Sequence, residues 1–323
     1  MSSRANKKIN LVDFIFFKEG ELAFWKWLPI KKSDAIKVTD GNVEFQVYVE
    51  PNYPGTFTFK SNLKGLSSGN HWVHALRVDV SFKVDVAVAK AINKMNPPSE
   101  LIAKIAKSYR RLEDTLRDIC RNDLGQWWLQ HPKHDIEETD RDILGGMHVI
   151  NSLGRSRQFL TGAAIRLNSH IPKEKLLITQ KHWKKLETLI VRGYRTDLAL
   201  VCLANAESLH HNQNYRIAMI EAVIALERAI FTFVRPSIPP QKLEKAEKYL
   251  KGDSVYDAAK NLLPLVAKNL NFNQKVIKDC CEAINKRNLI VHKTCFRLNP
   301  EEVKQYMCAI NIVVRKLVPR QLP

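Results

Sequence analysis

Val78, Val80, Phe82, Val84, Val86 and Val88 alternate with Asp79, Ser81, Lys83 and Asp85. Side chains two positions apart share one face of a strand but diverge widely around a helix. The run therefore predicts a strand over 78–88 with one buried face, and a strand requires a sheet. Val43, Phe45, Val47 and Val49 repeat the pattern, and Thr56-Phe57-Thr58-Phe59 is a shorter example. Asp40-Gly41 and Pro54-Gly55 supply turns between them. The aromatic runs Phe14 to Phe17 and Phe24-Trp25-Lys26-Trp27 read as two more strands. Aromatics interleaved with lysine also suit base stacking, but a small sheet needs large side chains for its core. Residues 10–90 thus read as a β-rich unit.

Pro97-Pro98-Ser99 ends that unit and opens a helix. Leu101, Ile102, Ile105, Tyr109, Leu112, Leu116 and Ile119 then form a helical stripe. Up to about 175 the chain is mixed, broken at Trp127-Trp128, Gly145-Gly146 and Gly154. Ile171-Pro172-Lys173-Glu174-Lys175 is the linker candidate. From Thr179 the periodicity is helical, with helices expected near 180–192, 195–210, 215–234, 241–251, 255–268, 274–292 and 300–317. Asn299-Pro300-Glu301-Glu302 is a strong helix start: an Asn cap, proline at the first position and acids in the first turn. The expected fold class is α+β: a β-rich N-terminal domain with a helical extension over 1–175, then an all-α domain over 176–323.

The chain's 323 residues leave room for two or three domains, and 45% apolar with 26% charged residues is ordinary for a soluble globular protein. No apolar run reaches the length of a membrane span, and no terminal stretch has the make-up of a signal peptide. The six cysteines (120, 202, 280, 281, 295, 308) lack Cys-x-x-Cys spacing. That suits reduced core thiols and a cytoplasmic location. The net charge of +18 is concentrated in residues 178–323, with 24 Lys and Arg against 13 Asp and Glu. A polyanionic partner fits such a surplus, although lysine-rich helix faces also serve solubility.

Within that basic half, Cys280 to His292 carries the most chemistry. On a helix, at about 100° per residue, Ile277, Cys280, Cys281, Ile284 and Val291 share one side with Arg287, Asn288 and His292. Lys278, Asp279, Glu282, Lys286 and Lys293 fall on the other. Three strong hydrogen-bonding side chains therefore face the core or a partner, and burying them unpaired is costly.

An Arg followed by a polar residue, then a His five positions after the Arg, on the penultimate helix of a helical domain, resembles the HEPN superfamily. Tyr215 to Ile230 looks like the long opening helix of such domains, with Glu227 the acid on its inner face. The resemblance covers roughly 196–320. It implies a helical bundle that dimerises, and commonly a metal-independent ribonuclease; other members only bind RNA or protein. By the same analogy, the setting is phage defence or a toxin system. A second Arg-to-His spacing, Arg141 to His148, contains Gly145-Gly146, which disfavours a helix.

Cleaving RNA without a metal needs a base for the ribose 2′-hydroxyl, an acid for the leaving 5′-oxygen and a cation for the phosphorane. An imidazole serves as either acid or base, which assigns His292. A guanidinium matches phosphate oxygens bidentately, which assigns Arg287. Asn288 would fix the geometry, and Glu227 would accept from Arg287 or orient the histidine. One pair supplies a single titrating group, so a two-fold dimer would complete the set, as in the family. Lys286, Lys293 and Arg297 are candidate phosphate contacts, or solvated helix-face cations. No cofactor is implied. Two alternatives stay open: a non-catalytic binding module of the same fold, and a structural helical domain with a buried Arg287–Glu227 pair.

Other clusters are weaker. His71 and His74 sit on opposite faces of a strand. His131 and His134 lack a third ligand at suitable spacing. The acids from Asp135 to Asp142 read as a solvated loop.

Overall fold

The computed structural model describes residues 7–16, 22–24, 27–49, 56–58, 71–73, 75–93, 98–129, 148–149, 177–237, 255–292 and 298–318. The chain divides into two compact units, Met1–Arg195 and Thr196–Gln321. The division thus falls after Arg195 and not at 175/176. The helix Gln180–Val191, expected in the second domain, belongs to the first unit.

The first unit contains an antiparallel sheet of four principal strands: β1 (Lys7–Phe16), β3 (Ile36–Asp40), β4 (Val43–Tyr48) and β7 (Ala75–Val84). They run in the order β3-β4-β7-β1, and β8 (His148–Val149) adds two residues beside β1. A smaller sheet joins β2 (Leu22–Phe24), β6 (His71–Val73) and β5 (Thr56–Thr58). Register places Val43 opposite Phe82, Phe45 opposite Val80 and Val47 opposite Val78. All six are buried, so the period-two alternation reports one buried face. Their alternates include Asp79, which gathers Tyr48, Arg77 and Lys32 at 3.0, 2.8 and 2.7 Å.

The alternation runs further in the sequence than the strand does in space. Helix α1 (Val86–Asn93) begins where Val86 and Val88 promised more strand. Asp85 is the cause: its Oδ1 accepts from the Val88 N–H at 2.9 Å and its carbonyl from the Ala89 N–H at 3.0 Å, an N-cap that outweighs two β-branched residues. Helix α2 (Ser99–Asp118) follows, with Ile105, Tyr109, Leu112 and Leu116 buried as the stripe requires. It is tied to the β3–β4 turn by Ser108 donating to Asp40 at 2.8 Å and Lys104 to Asn42 at 3.2 Å. Ile119–Asp123 continues it as a buried π-helical turn. Helix α3 (Gln180–Val191) starts with a capping box between Thr179 and His182. Its Trp183 is buried, packs against Phe24 with ring centroids 5.6 Å apart and planes tilted by 54°, and donates from the indole N–H to the Asp34 carbonyl at 2.8 Å. Phe24, from the aromatic run, is thus a core residue; Phe17, Trp25 and Lys26 lie outside the described residues.

The second unit is helical throughout its described residues: α4 (Leu198–His211), α5 (Tyr215–Val234), α6 (Gln274–His292) and α7 (Pro300–Leu317), with short turns between Val255 and Leu270. Asp197 caps α4, accepting from the Ala199 N–H at 2.8 Å, which places its start after the expected 195. Asn299 caps α7 from the Glu301 N–H at 3.0 Å, with Pro300 at the first position. The expected helix over 255–268 is instead broken into segments, including a π turn at Ala258–Leu262. Pro264 follows that turn and has no N–H to continue the ladder. The expected 241–251 helix lies outside the described residues.

Helix α5 is the centre of this unit. Ala218, Met219, Ala222, Val223, Ala225, Leu226, Ala229 and Ile230 are buried around it, and α4, α6 and α7 all pack against it. So many alanines let neighbouring backbones approach closely. No described helix is long and apolar enough to cross a membrane.

Candidate functional site

Helix α6 begins after Asn273, whose Oδ1 accepts from the Lys275 N–H at 2.8 Å. Its buried side chains are Asp279, Cys280, Cys281, Ala283, Ile284 and Ile290. That face is turned by roughly 70° from the one centred on Ile284, at about 100° per residue. The reason lies on α7. Gln305 donates to Asp279 at 3.1 Å, Tyr306 to Glu282 at 3.3 Å, and Lys286 donates to Glu302 at 3.3 Å. The side expected to be solvated is the seam with α7. Burial and the carboxylates of Glu282 and Glu302 push the Tyr306 phenol up to about 12, so it remains a donor at neutral pH.

The expected inner face stays buried through Cys280, Cys281 and Ile284 but opens to solvent towards the C-terminal end of the helix. Asn288, Val291 and His292 are exposed, and Arg287 is half-buried at the boundary. Arg287 extends towards α5, where its Nη2 lies 3.8 Å from Glu227 Oε2; their side chains are 26% and 35% exposed. The Arg287 Nε is enclosed without a hydrogen-bond partner. Among the described residues, neither Asn288 nor His292 makes a side-chain hydrogen bond or ion pair. Arg287 and Glu227 are therefore brought together, while Asn288 and His292 stand beside them on solvent. Lys286 turns to Glu302 on α7 and away from this face. Lys293 and Arg297 lie outside the described residues.

A residue absent from the sequence reading joins the group. Arg216, at the start of α5, donates from Nη2 to the Ile290 carbonyl at 3.3 Å. Nothing in local periodicity connects positions 74 apart, so no sequence signal pointed to it. Ile217 beside it is 44% exposed, and Val291 on α6 is 56% exposed. Cys280 and Cys281 lie on the same side of α6, about three turns before His292, and burial pushes both thiols up, so neither offers a ready thiolate.

Other candidates separate from this group. His148 sits on β8 and not on a helix. His71 is half-buried on β6, and burial lowers its pKa. His74, His131, His134 and the acids from 135 to 142 lie outside the described residues. Among the described residues no three His, Cys, Asp or Glu side chains form a group able to hold a metal ion. Comparison of the chain with family models, with curated proteins and with solved structures finds no match.

Proposed function

We propose that this chain is a metal-independent endoribonuclease of the HEPN type, its helical unit forming a HEPN-like bundle. His292 is the acid–base group and Arg287 the phosphate-charge stabiliser. The observation that carries the reading is the contrast on one short stretch of α6: an exposed imidazole and carboxamide beside a half-buried guanidinium held by Glu227. A fixed cation next to a solvent-accessible proton carrier is what phosphoryl transfer to a neighbouring hydroxyl requires.

In the reaction, an imidazole takes the proton of the ribose 2′-hydroxyl, and that oxygen attacks the adjacent phosphorus. The 5′-oxygen leaves with a proton from a second imidazole, giving a 2′,3′-cyclic phosphate and a 5′-hydroxyl. Arg287 offsets the charge of the phosphorane, and Asn288 fixes the side-chain geometry of the site. The second imidazole comes from a second copy of the chain across a two-fold axis. Exposed Val291 and Ile217 supply apolar area for that contact. The partner is RNA, the location cytoplasmic, and the setting, by analogy with the family, phage defence or a toxin system.

The test is cleavage of generic RNA in EDTA. His292→Ala should lower the rate by at least ~10²-fold while keeping the melting temperature. Arg287→Lys should fail to restore it, since an ammonium lacks the planar fork. A 2′-deoxy nucleotide at the scissile position should block cleavage. The Arg287–Glu227 pair also favours a second reading, a structural one without catalysis. On that reading His292→Ala changes no RNA-directed property, and Arg287→Ala lowers only stability.

A further inference from the structure

His292 is the last residue of α6, and residues at a helix end are held by fewer backbone bonds than those inside it. The carbonyls of the last turn have no intrahelical donor, and such turns fray. Ile290 is buried, but Val291 and His292, the last two residues of the helix, are exposed. Something must hold this turn if the imidazole is to keep one position. The Arg216 guanidinium meets the Ile290 carbonyl at 3.3 Å. Arg216 and Glu227 are about three turns apart on α5 and so share a face of it. One helix thus grips the Arg–His segment twice: Glu227 at Arg287 and Arg216 at Ile290.

We infer that Arg216 is a positioning residue for His292, acting as a C-terminal cap of α6 delivered from α5. Resting on the ribonuclease reading, this assigns to Arg216 no contact with the reacting atoms. Its donor engages a carbonyl that the helix leaves open, which fixes the turn that ends in the imidazole. Its charge also lies at the negative end of the α6 dipole.

The experiment uses the full chain with Arg216→Ala, Arg216→Gln and Arg216→Lys. Hydrogen–deuterium exchange is followed on the peptide spanning 286–292, and steady-state cleavage of generic RNA in chelator is measured in parallel. Arg216→Ala and Arg216→Gln should speed exchange in that turn and leave the rest of Thr196–Gln321 as in the wild type. Their kcat should fall by about 10- to 10²-fold, the scale of a misplaced catalytic group, with KM unchanged. Arg216→Lys, still able to donate to a carbonyl, should restore most of both. A merely stabilising surface arginine would alter global unfolding without that local exchange or the kcat-only loss. Unchanged exchange at 286–292, or faster exchange with wild-type kcat while His292→Ala is inactive, overturns the inference and leaves the ribonuclease standing. If the wild type shows no His292-dependent cleavage, the ribonuclease reading and the positioning role fall together. Faster exchange then still identifies Arg216 as the cap. Should Arg216→Ala fail to fold, Arg216→Gln keeps the stem and decides the same question.

Discussion

Arg287 on α6 and Glu227 on α5 meet with Nη2 3.8 Å from Oε2, and both side chains retain contact with water. Screening leaves such a pair worth at most ~1 kcal/mol. Its value is therefore orientation more than stability. Glu227→Gln should shift the unfolding free energy by less than about 1 kcal/mol, measured by urea titration. RNA cleavage should fall well beyond that. A large stability loss with unaltered cleavage would show the pair to be structural.

The exposed face of α6 should associate with its own copy. Val291→Asp or Ile217→Asp should turn a dimer into a monomer by light scattering at micromolar concentration, and cleavage should fall with dimer content. An active monomer would sink the shared-site mechanism.

Acid should weaken the second unit through His210. Burial lowers its pKa from 6.5, and Lys304 and His211 act in the same sense against the Pro300 carbonyl and Glu301. Its Nε2 is enclosed without a partner, and the ring meets Tyr215 edge-on at 5.3 Å. Below its unfolded-state pKa the unfolded chain takes up this proton more readily than the folded one, so stability drops as pH falls through and below 6.5. Denaturant midpoints between about pH 7.5 and about pH 5.5 should fall less for His210→Gln than for the wild type. Equal losses would exclude His210 as the source.

Asn299→Ala should cost about 0.5–2 kcal/mol, because the Glu301 N–H loses its acceptor. The same assay reads it, with Asn299→Asp and Asn299→Ser keeping most of the stability.

Where the sequence announced these elements, it did so through residues whose chemistry is local. Asn299 and Pro300 set the start of α7. The strand face through Val78, Val80 and Phe82 needed only the alternation. What stayed hidden depended on partners distant in the chain. The orientation of α6 follows from Gln305, Tyr306 and Glu302, which draw Asp279, Glu282 and Lys286 inwards. An apolar stripe gives no weight to such polar seams. Asp85 hid as one more polar alternate in a strand until its side chain was seen to cap α1. The domain boundary was misplaced because helical periodicity does not say which unit a helix completes, and α3 completes the sheet-bearing one.

That last feature orders the assembly of the first unit in time. Trp183 donates to Asp34 across 149 positions, and its ring sits against Phe24 near the front of the chain. A ribosome synthesising the chain from its N-terminus has made every described strand before it makes the tryptophan. Until α3 emerges, Phe24 lacks this cover and the first unit is exposed to chaperones and proteases. Contacts of such long range also slow folding. Nascent chains stalled before residue 183 should therefore be protease-sensitive throughout the sheet, and those stalled well beyond it resistant.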